Sequence, residues 1–393
     1  MKNRSFSGKI RVAAMLFAGV IVVTNLTGCG SMQKTVDTYM KDLYRRLPYK
    51  VSGNYRVVDV FYATTRASSG KTGKMLPFNA SLSDETSLGM MSVKIDPSIR
   101  MGRMLPKKLK ATGELGVESS EAMDDELFMK QLAARVAASP DKSLLILVFG
   151  YKDDFESNAI KAGWFAYMLD VNTPVLLFDW PGDQMLTIGG YKKARDYAEA
   201  SGNALGALLV KIEREIKPDS LWLKGSSLGC ESVCEAFEHM YQHEDMKDAD
   251  TEITEVFLAA PDVSEDDFKE KFGHHIAALT DRLTVYVSSD DDALLMSGII
   301  TGKKMLGRQK IQDPEQSEEA KDLLLIKSQH PGKVTVVDVT PINNASFHHG
   351  YYMECPEFFD DLYARVHGRG SLFNRRLYLF KYKGEVDYWV MQK

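Results

Sequence analysis

Residues 221–229 read Leu-Trp-Leu-Lys-Gly-Ser-Ser-Leu-Gly, an apolar run that breaks into G-x-S-x-G with Ser227 at its centre. That string is the pattern of a nucleophile elbow: a strand ends, the chain turns sharply and a helix begins, holding the serine hydroxyl above the sheet edge. Gly225 and Gly229 suit it, because a Cβ at either would crowd the strand–turn–helix packing. A helix N-terminus behind the serine offers backbone N–H groups and a positive dipole end to a developing oxyanion. A serine nucleophile also needs a base, and the base needs an orienting acid. Both types follow in chain order. Ser288-Ser289-Asp290-Asp291-Asp292 comes after an apolar run at 283–287, and His348-His349 comes after another at 334–339. Asp291 is the favoured acid. Three consecutive aspartates would equally start a helix near Ala293, since acids favour N-termini. Asp262, at the end of the run 255–260, is a second candidate acid or a turn residue ahead of a helix capped by Ser264. Either His348 or His349 could be the base. The oxyanion donors implied are the N–H of Leu228 and the N–H of Tyr151, which follows Gly150 in a loop where a glycine permits close approach.

The elements around these residues have one rhythm. Apolar runs at 144–149, 175–178, 221–226, 255–260, 283–287 and 334–339 alternate with helical periodicity at 121–138, 160–169, 191–216 and 228–242. Continuous apolar strands separated by helices indicate a mostly parallel, doubly wound sheet covered on both faces. Right-handed crossovers put the C-terminal ends of such strands on one edge, where ligands bind. Val57–Tyr62 and Met91–Ile95 read as earlier strands, 67–90 as a polar loop, and 307–322 as an exposed, charged loop or helix. The tail, 376–382 and 385–390, reads as a hairpin joined to the sheet or lying over it. On length alone, 67–90 and 295–330 are the expected pocket walls.

Lys2, Arg4, Lys9 and Arg11 precede an apolar stretch, 12–23, too short to span a bilayer comfortably. It ends in Leu26-Thr27-Gly28-Cys29, which resembles the lipobox of bacterial lipoprotein signal peptides. The expectation is a signal peptide over 1–28, lipidation of Cys29, and an outer-membrane, periplasm-facing location, since Gly30 rather than Asp follows the cysteine. Residues 29–54 then form a tether with a short amphipathic helix, 55–370 the main domain, and 371–393 the hairpin extension. The net charge of −5 implies no affinity for nucleic acid. Cys230, Cys234 and Cys355 remain after Cys29, and an odd number argues against a disulfide framework. His239 and His243 share a helix face, but no Glu follows His239 as a zinc-protease pattern requires. No metal and no cofactor is expected.

Taken in order, Val60–Arg66, Val148-Phe149-Gly150-Tyr151, Leu177-Phe178-Asp179-Trp180-Pro181, Gly225–Gly229, Ala260-Pro261-Asp262, Ser288–Leu294 and His349-Gly350-Tyr351-Tyr352 resemble a bacterial α/β-hydrolase family. That family is catalogued as a domain of unknown function and is often found on exported lipoproteins. The resemblance spans about 57–363. It implies an α/β-hydrolase fold and places the catalytic set on Ser227, Asp291 and His349. The chain departs from the family in two places. Phe149 stands where a histidine is usual before Gly-Tyr, and Ser226-Ser227-Leu228-Gly229 replaces His-Ser-Met-Gly.

The function expected is hydrolysis of carboxylic esters by a membrane-anchored serine hydrolase acting on a small-molecule ester or lipid. Nothing marks amide over ester chemistry. The alternative is a non-catalytic envelope lipoprotein that uses the same fold to bind a partner or lipid.

Overall fold

The central strands are buried on both faces because almost every residue in them is apolar. In β5 (Ser143–Val148), with the sequence SLLILV, every position is buried. The structure, a computed structural model, describes residues 47–70, 78–99, 104–105, 113–170, 172–247, 253–309, 332–367, 376–382 and 386–393. Its strands are β1 (Lys50–Ser52), β2 (Tyr55–Ser68), β3 (Phe78–Ile95), β4 (Leu115–Met123), β5, β6 (Val175–Asp179), β7 (Ser220–Ser226), β8 (Glu255–Ala259), β9 (Leu283–Val287), β10 (Val334–Asp338), β11 (Leu377–Tyr382) and β12 (Val386–Met391). They form one sheet in the order β11-β12-β10-β9-β8-β7-β5-β6-β2-β3-β4, with β1 paired to β2. From β2 to β12 the neighbours in that order are parallel. The antiparallel pairs lie at the two margins, β1–β2, β2–β3 and β3–β4 at one and β11–β12 at the other.

Alternation along each strand feeds two cores. Leu144, Ile146 and Val148 join Phe128 and Leu132 of α1 (Asp125–Ala138) on one face. Leu145, Leu147 and Phe149 join Ala159 and Phe165 of α2 (Phe155–Leu169) on the other. The first face also carries α3 (Ile188–Glu215) and α4 (Gly229–Gln242), through Leu205, Leu209, Val233 and Phe237. Beyond them come α5 (Gly273–Leu279), α6 (Asp292–Thr301) and α7 (Pro356–Val366). Side chains cap the helices that flank the ligand edge: Asp154 accepts from Ser157 N–H, Thr187 from Gly190 N–H and Asp291 from Leu294 N–H.

Three expectations change. The stretch 67–90 is not a loop over its whole length, because β2 runs on to Ser68 and β3 begins at Phe78. The polar sequence there hides a strand held by β2, with β4 joining on the other side only from Leu88 onward. Leu115–Met123 forms a strand that its polar sequence does not announce. Within the expected tether, β1 already pairs with β2 at Lys50. The C-terminal hairpin joins the sheet, β12 pairing parallel with β10, and Leu47–Lys393 falls into one compact unit. Cys29, the apolar stretch 12–23, the tether helix up to Arg46 and 310–331 lie outside the described residues. Among the described residues no helix is long and apolar enough to cross a membrane.

Candidate active site

Ser227 follows β7 directly, and its backbone is left-handed, with φ of 52°. A non-glycine residue is strained there and persists only where its surroundings impose it. The surroundings do so here. Ser227 N–H donates to the Ala259 carbonyl at 2.9 Å, while the Ser227 carbonyl accepts from Cys230 N–H at 3.0 Å and from Asp262 N–H at 3.2 Å. The glycines of the motif are required by contact. A Cβ on Gly229 would collide with the Phe149 carbonyl oxygen, and one on Gly225 would press on Val233 and Cys230. A Cβ on Gly150 would meet the Ser227 Cβ at 2.7 Å, so the loop 149–151 runs against the serine.

The Ser227 hydroxyl donates to His349 Nε2 at 2.8 Å, and His349 Nδ1–H donates to Asp291 Oδ2 at 2.8 Å. Asp291 is fully buried, and its Oδ1 accepts the Leu294 N–H at 2.9 Å. The three aspartates thus have three partners. Asp290 accepts from Ser288 and Asp291 holds His349, while Asp292 holds His348 Nδ1 at 3.0 Å in an exposed pair. His348, the other candidate base, therefore faces Asp292. Asp262, the other candidate acid, accepts from Tyr191 Oη at 2.7 Å and from Ser297 Oγ at 2.6 Å, with the Arg195 guanidinium nearby. Burial opposes charge on the His349 imidazole, but the Asp291 hydrogen bond and charge, with Asp262 behind them, raise its pKa above the ordinary histidine value.

Leu228 is the N-cap residue of α4, and the leading N–H groups of a helix have no intrahelical acceptor. Tyr151 stands on the loop across from it. That loop is fastened at three points. The Phe149 carbonyl accepts from Trp180 Nε1 at 2.8 Å, Lys152 N–H donates to the Gly182 carbonyl at 2.9 Å, and the Asp153 carbonyl accepts from Arg66 Nη2 at 2.9 Å. Arg66 is itself held by Asp179 at 2.6 Å and by Asp183. Thr64 and Asn158 complete the Asp179 carboxylate. In sequence, Thr64-Thr65-Arg66 and Asp179-Trp180-Pro181 stand out only as motifs, with nothing to assign them this work. Tyr191, Ser297 and Arg195 do not stand out at all, because they sit on helices with nothing local to mark them.

Lys224, three residues before the serine, reads in sequence only as part of the strand. It is fully buried, and its Nζ has no hydrogen-bond partner. It faces the rings of Tyr352, Phe165 and Phe149 at 4.7, 4.8 and 5.3 Å. Burial pushes its pKa down to about 7.

A cavity of about 580 Å³ opens at Ser227 and His349. Its walls come from Tyr151, from Leu186, Ile188 and Tyr191, and from Met296 and Ile300. Met296, Ser297 and Ile300 are among the expected walls; the described residues of 67–90 do not line it, because they are largely committed to β2 and β3. A second cavity, about 370 Å³, borders Leu47, Asp59 and Arg135 and touches none of the candidate residues. Among the described residues no cluster of three or more metal-binding side chains occurs. Cys230, Cys234 and Cys355 are buried free thiols.

No curated protein matches the chain. A family model described as an alpha/beta hydrolase of unknown function (DUF900) matches residues 124–366, more than half of the chain. The matched span contains β5 to β10 together with Ser227, Asp291 and His349, and leaves β1 to β4 and the C-terminal hairpin outside. By that match and by its mostly parallel sheet, the chain belongs to the DUF900 family of α/β hydrolases of unknown function.

Proposed function

We propose that this α/β hydrolase is a serine esterase anchored to the membrane of the cell envelope. The observation that carries the reading is the unbroken chain from Ser227 through His349 to Asp291, with both links at 2.8 Å and the serine held at positive φ. In this reading Ser227 Oγ attacks the ester carbonyl and His349 Nε2 takes its proton. The N–H groups of Leu228 and Tyr151 receive the oxyanion. The tetrahedral intermediate collapses, and the alcohol leaves with the proton held by His349. Water then attacks the acyl-serine, giving up a proton to His349, and the acid departs as Ser227 regains its hydrogen. Asp291 fixes the imidazole tautomer and stabilises its cation throughout. Labelling with a fluorophosphonate probe tests this. Wild type should label and Ser227→Ala should not; equal labelling of the two, or none of either, overturns the reading.

The anchor is part of the same proposal. Several acyl chains on Cys29 would hold the protein at a bilayer, each buried CH₂ contributing about 0.8 kcal/mol. Radiolabelled palmitate should enter the wild-type chain and not Cys29→Ser, and cell fractionation should place the labelled protein with the outer membrane. Label in both chains removes the anchor from the proposal.

A further inference from the structure

Large apolar side chains gather around the cavity mouth. Met185, Leu186 and Ile188 lead into α3 and are 76, 70 and 62% exposed, Met296 and Ile299 lie on α6, and Phe347 is 79% exposed beside His348. Single exposed apolar residues are ordinary, but a contiguous group marks an interaction site. Hydrogen bonds tie together the elements that carry this group. Tyr151 Oη donates to the Met185 carbonyl, Tyr191 of α3 meets Ser297 of α6 at 2.6 Å, and His348 beside Phe347 pairs with Asp292 at the start of α6. Leu186, Ile188 and Met296 belong both to this rim and to the cavity wall. An apolar chain moving from the surface to Ser227 would cross apolar groups along that side.

We propose that this rim docks on a phospholipid bilayer and that the substrate is an acyl ester of a membrane lipid, whose acyl chain enters the cavity over Leu186, Ile188 and Met296. The inference rests on the esterase reading. In it, the acyl carbonyl passes to Ser227, the glycerol oxygen leaves with a proton as a lysolipid, and water releases the fatty acid. Two observations favour a bilayer over a protein. The rim adjoins the cavity that holds Ser227 through Leu186, Ile188 and Met296, so a protein or second copy seated there would cover that cavity, whereas a bilayer delivers what fills it. The chain between Cys29 and Leu47 is 17 residues long, a reach of at most about 60 Å. An acylated Cys29 would keep Leu47 within that distance of lipid; Leu47 borders Pro174 just ahead of β6, at the sheet edge opposite Ser227, and a tether of that length would let the mouth turn to the bilayer.

Docking can be read without catalysis. Full-length Leu186→Trp in a Ser227→Ala background, reconstituted in phosphatidylethanolamine–phosphatidylglycerol vesicles, should show fluorescence quenched by brominated acyl chains. Unquenched fluorescence overturns the docking. A triple variant, Met185→Gln/Ile299→Gln/Phe347→Asn, changes rim positions outside the cavity wall, and asparagine tolerates the left-handed backbone of Phe347. It should keep cleavage of p-nitrophenyl acetate within about twofold while fatty-acid release from vesicles falls at least tenfold. Equal losses on both substrates, or a rim buried in a dimer by sedimentation, overturn the inference. If wild type labels with fluorophosphonate and cleaves p-nitrophenyl acetate but leaves vesicle lipid intact, this inference fails alone. If it neither labels nor cleaves, the esterase reading has failed.

Discussion

Asp291 and His349 are joined by a hydrogen bond of 2.8 Å in which the carboxylate uses only one of its oxygens, because the other caps α6 through the Leu294 N–H. One side chain therefore both starts a helix and aims an imidazole. The cap fixes the rotamer, and the fixed rotamer sets where Oδ2 meets His349.

The two roles separate by substitution. Asparagine keeps a cap acceptor but removes the charge and presents the wrong partner to Nδ1–H. Asp291→Asn is expected to lower kcat on a short-chain ester by on the order of 10³–10⁴-fold, with thermal stability nearly unchanged. Asp291→Ala should lose similar activity and a further ~1 kcal/mol of stability, the usual worth of an N-cap. Parallel kinetics and thermal melts check this; a stable, fully active Asp291→Asn would remove Asp291 from the acid role.

A second carboxylate acts on the same imidazole from further away. Asp262 contacts Tyr191 and Ser297 rather than His349, yet its charge helps to raise the histidine pKa. A general base must be neutral to accept a proton, so the acidic limb of kcat/KM should lie above the ordinary histidine value of about 6.5. Asp262→Asn removes the charge and keeps one carbonyl acceptor, while the hydroxyl that meets the amide nitrogen can turn to accept from it. The acidic limb should then move to lower pH, with the plateau above pH 8 little changed. A pH–rate profile of the two proteins measures it, and a limb that stays in place or moves up contradicts the electrostatic role given to Asp262.

The frame that holds the loop bearing Gly150 and Tyr151 rests on a buried charge pair. Arg66 is 1% exposed and pairs with the buried Asp179 while donating to the Asp153 carbonyl. Arg66→Met would strand Asp179 without its counter-charge and leave Asp153 without a donor. Removing one partner of a buried pair costs roughly 3–5 kcal/mol. The variant should melt accordingly earlier, and below its melting point kcat should still fall, because the loop bearing Tyr151 has lost an anchor. Addition of Asp179→Asn should restore part of the stability but not the rate. Urea melts and kcat on the single and double variants decide it.

How far the site is legible in the sequence depends on whether its determinants are local. The elbow is a local device in which two glycines and a serine must sit within five residues, so it stands out. Asp291 and His349 can be found because both lie just past strand ends on one sheet edge, and the order of the strands brings those ends together. The choice of His349 over His348 comes from resemblance alone. Sequence does not show that Phe347 and His348 adopt left-handed backbone, with φ of 54° and 47°, a turn that separates the neighbouring imidazoles. The first half of β3 reads as a loop because it is polar and its pairing is supplied by β2, whereas its end, Met91–Ile95, reads as the strand it is. The Arg66–Asp179 pair and the Tyr191–Asp262–Ser297 group escape because each joins residues scores of positions apart.

Lys224 yields the sharpest test of electrostatics beneath the elbow. Its ammonium has aromatic faces and no hydrogen-bond partner, with Cys230 and Lys161 the titratable groups acting on it. Its pKa in the fold is lowered to about 7, whereas an unfolded chain keeps a lysine near 10.4. Between those values the unfolded state binds a proton that the folded state has released, so this group makes stability rise with pH across the window. Below pH 7 the folded state carries the charge, and the full penalty is present. Lys224→Met keeps the apolar stem and removes the penalty. It should therefore be more stable than wild type at pH 6 by a few kcal/mol, since each tenfold loss of proton affinity on folding costs about 1.4 kcal/mol. The difference should shrink steadily and vanish only above about pH 11, where wild type is neutral at this position in both states. Urea unfolding at pH 6, 7.5 and 9 follows the convergence. A variant less stable than wild type at pH 6 would mean that the three rings hold the ammonium more strongly than burial disfavours it.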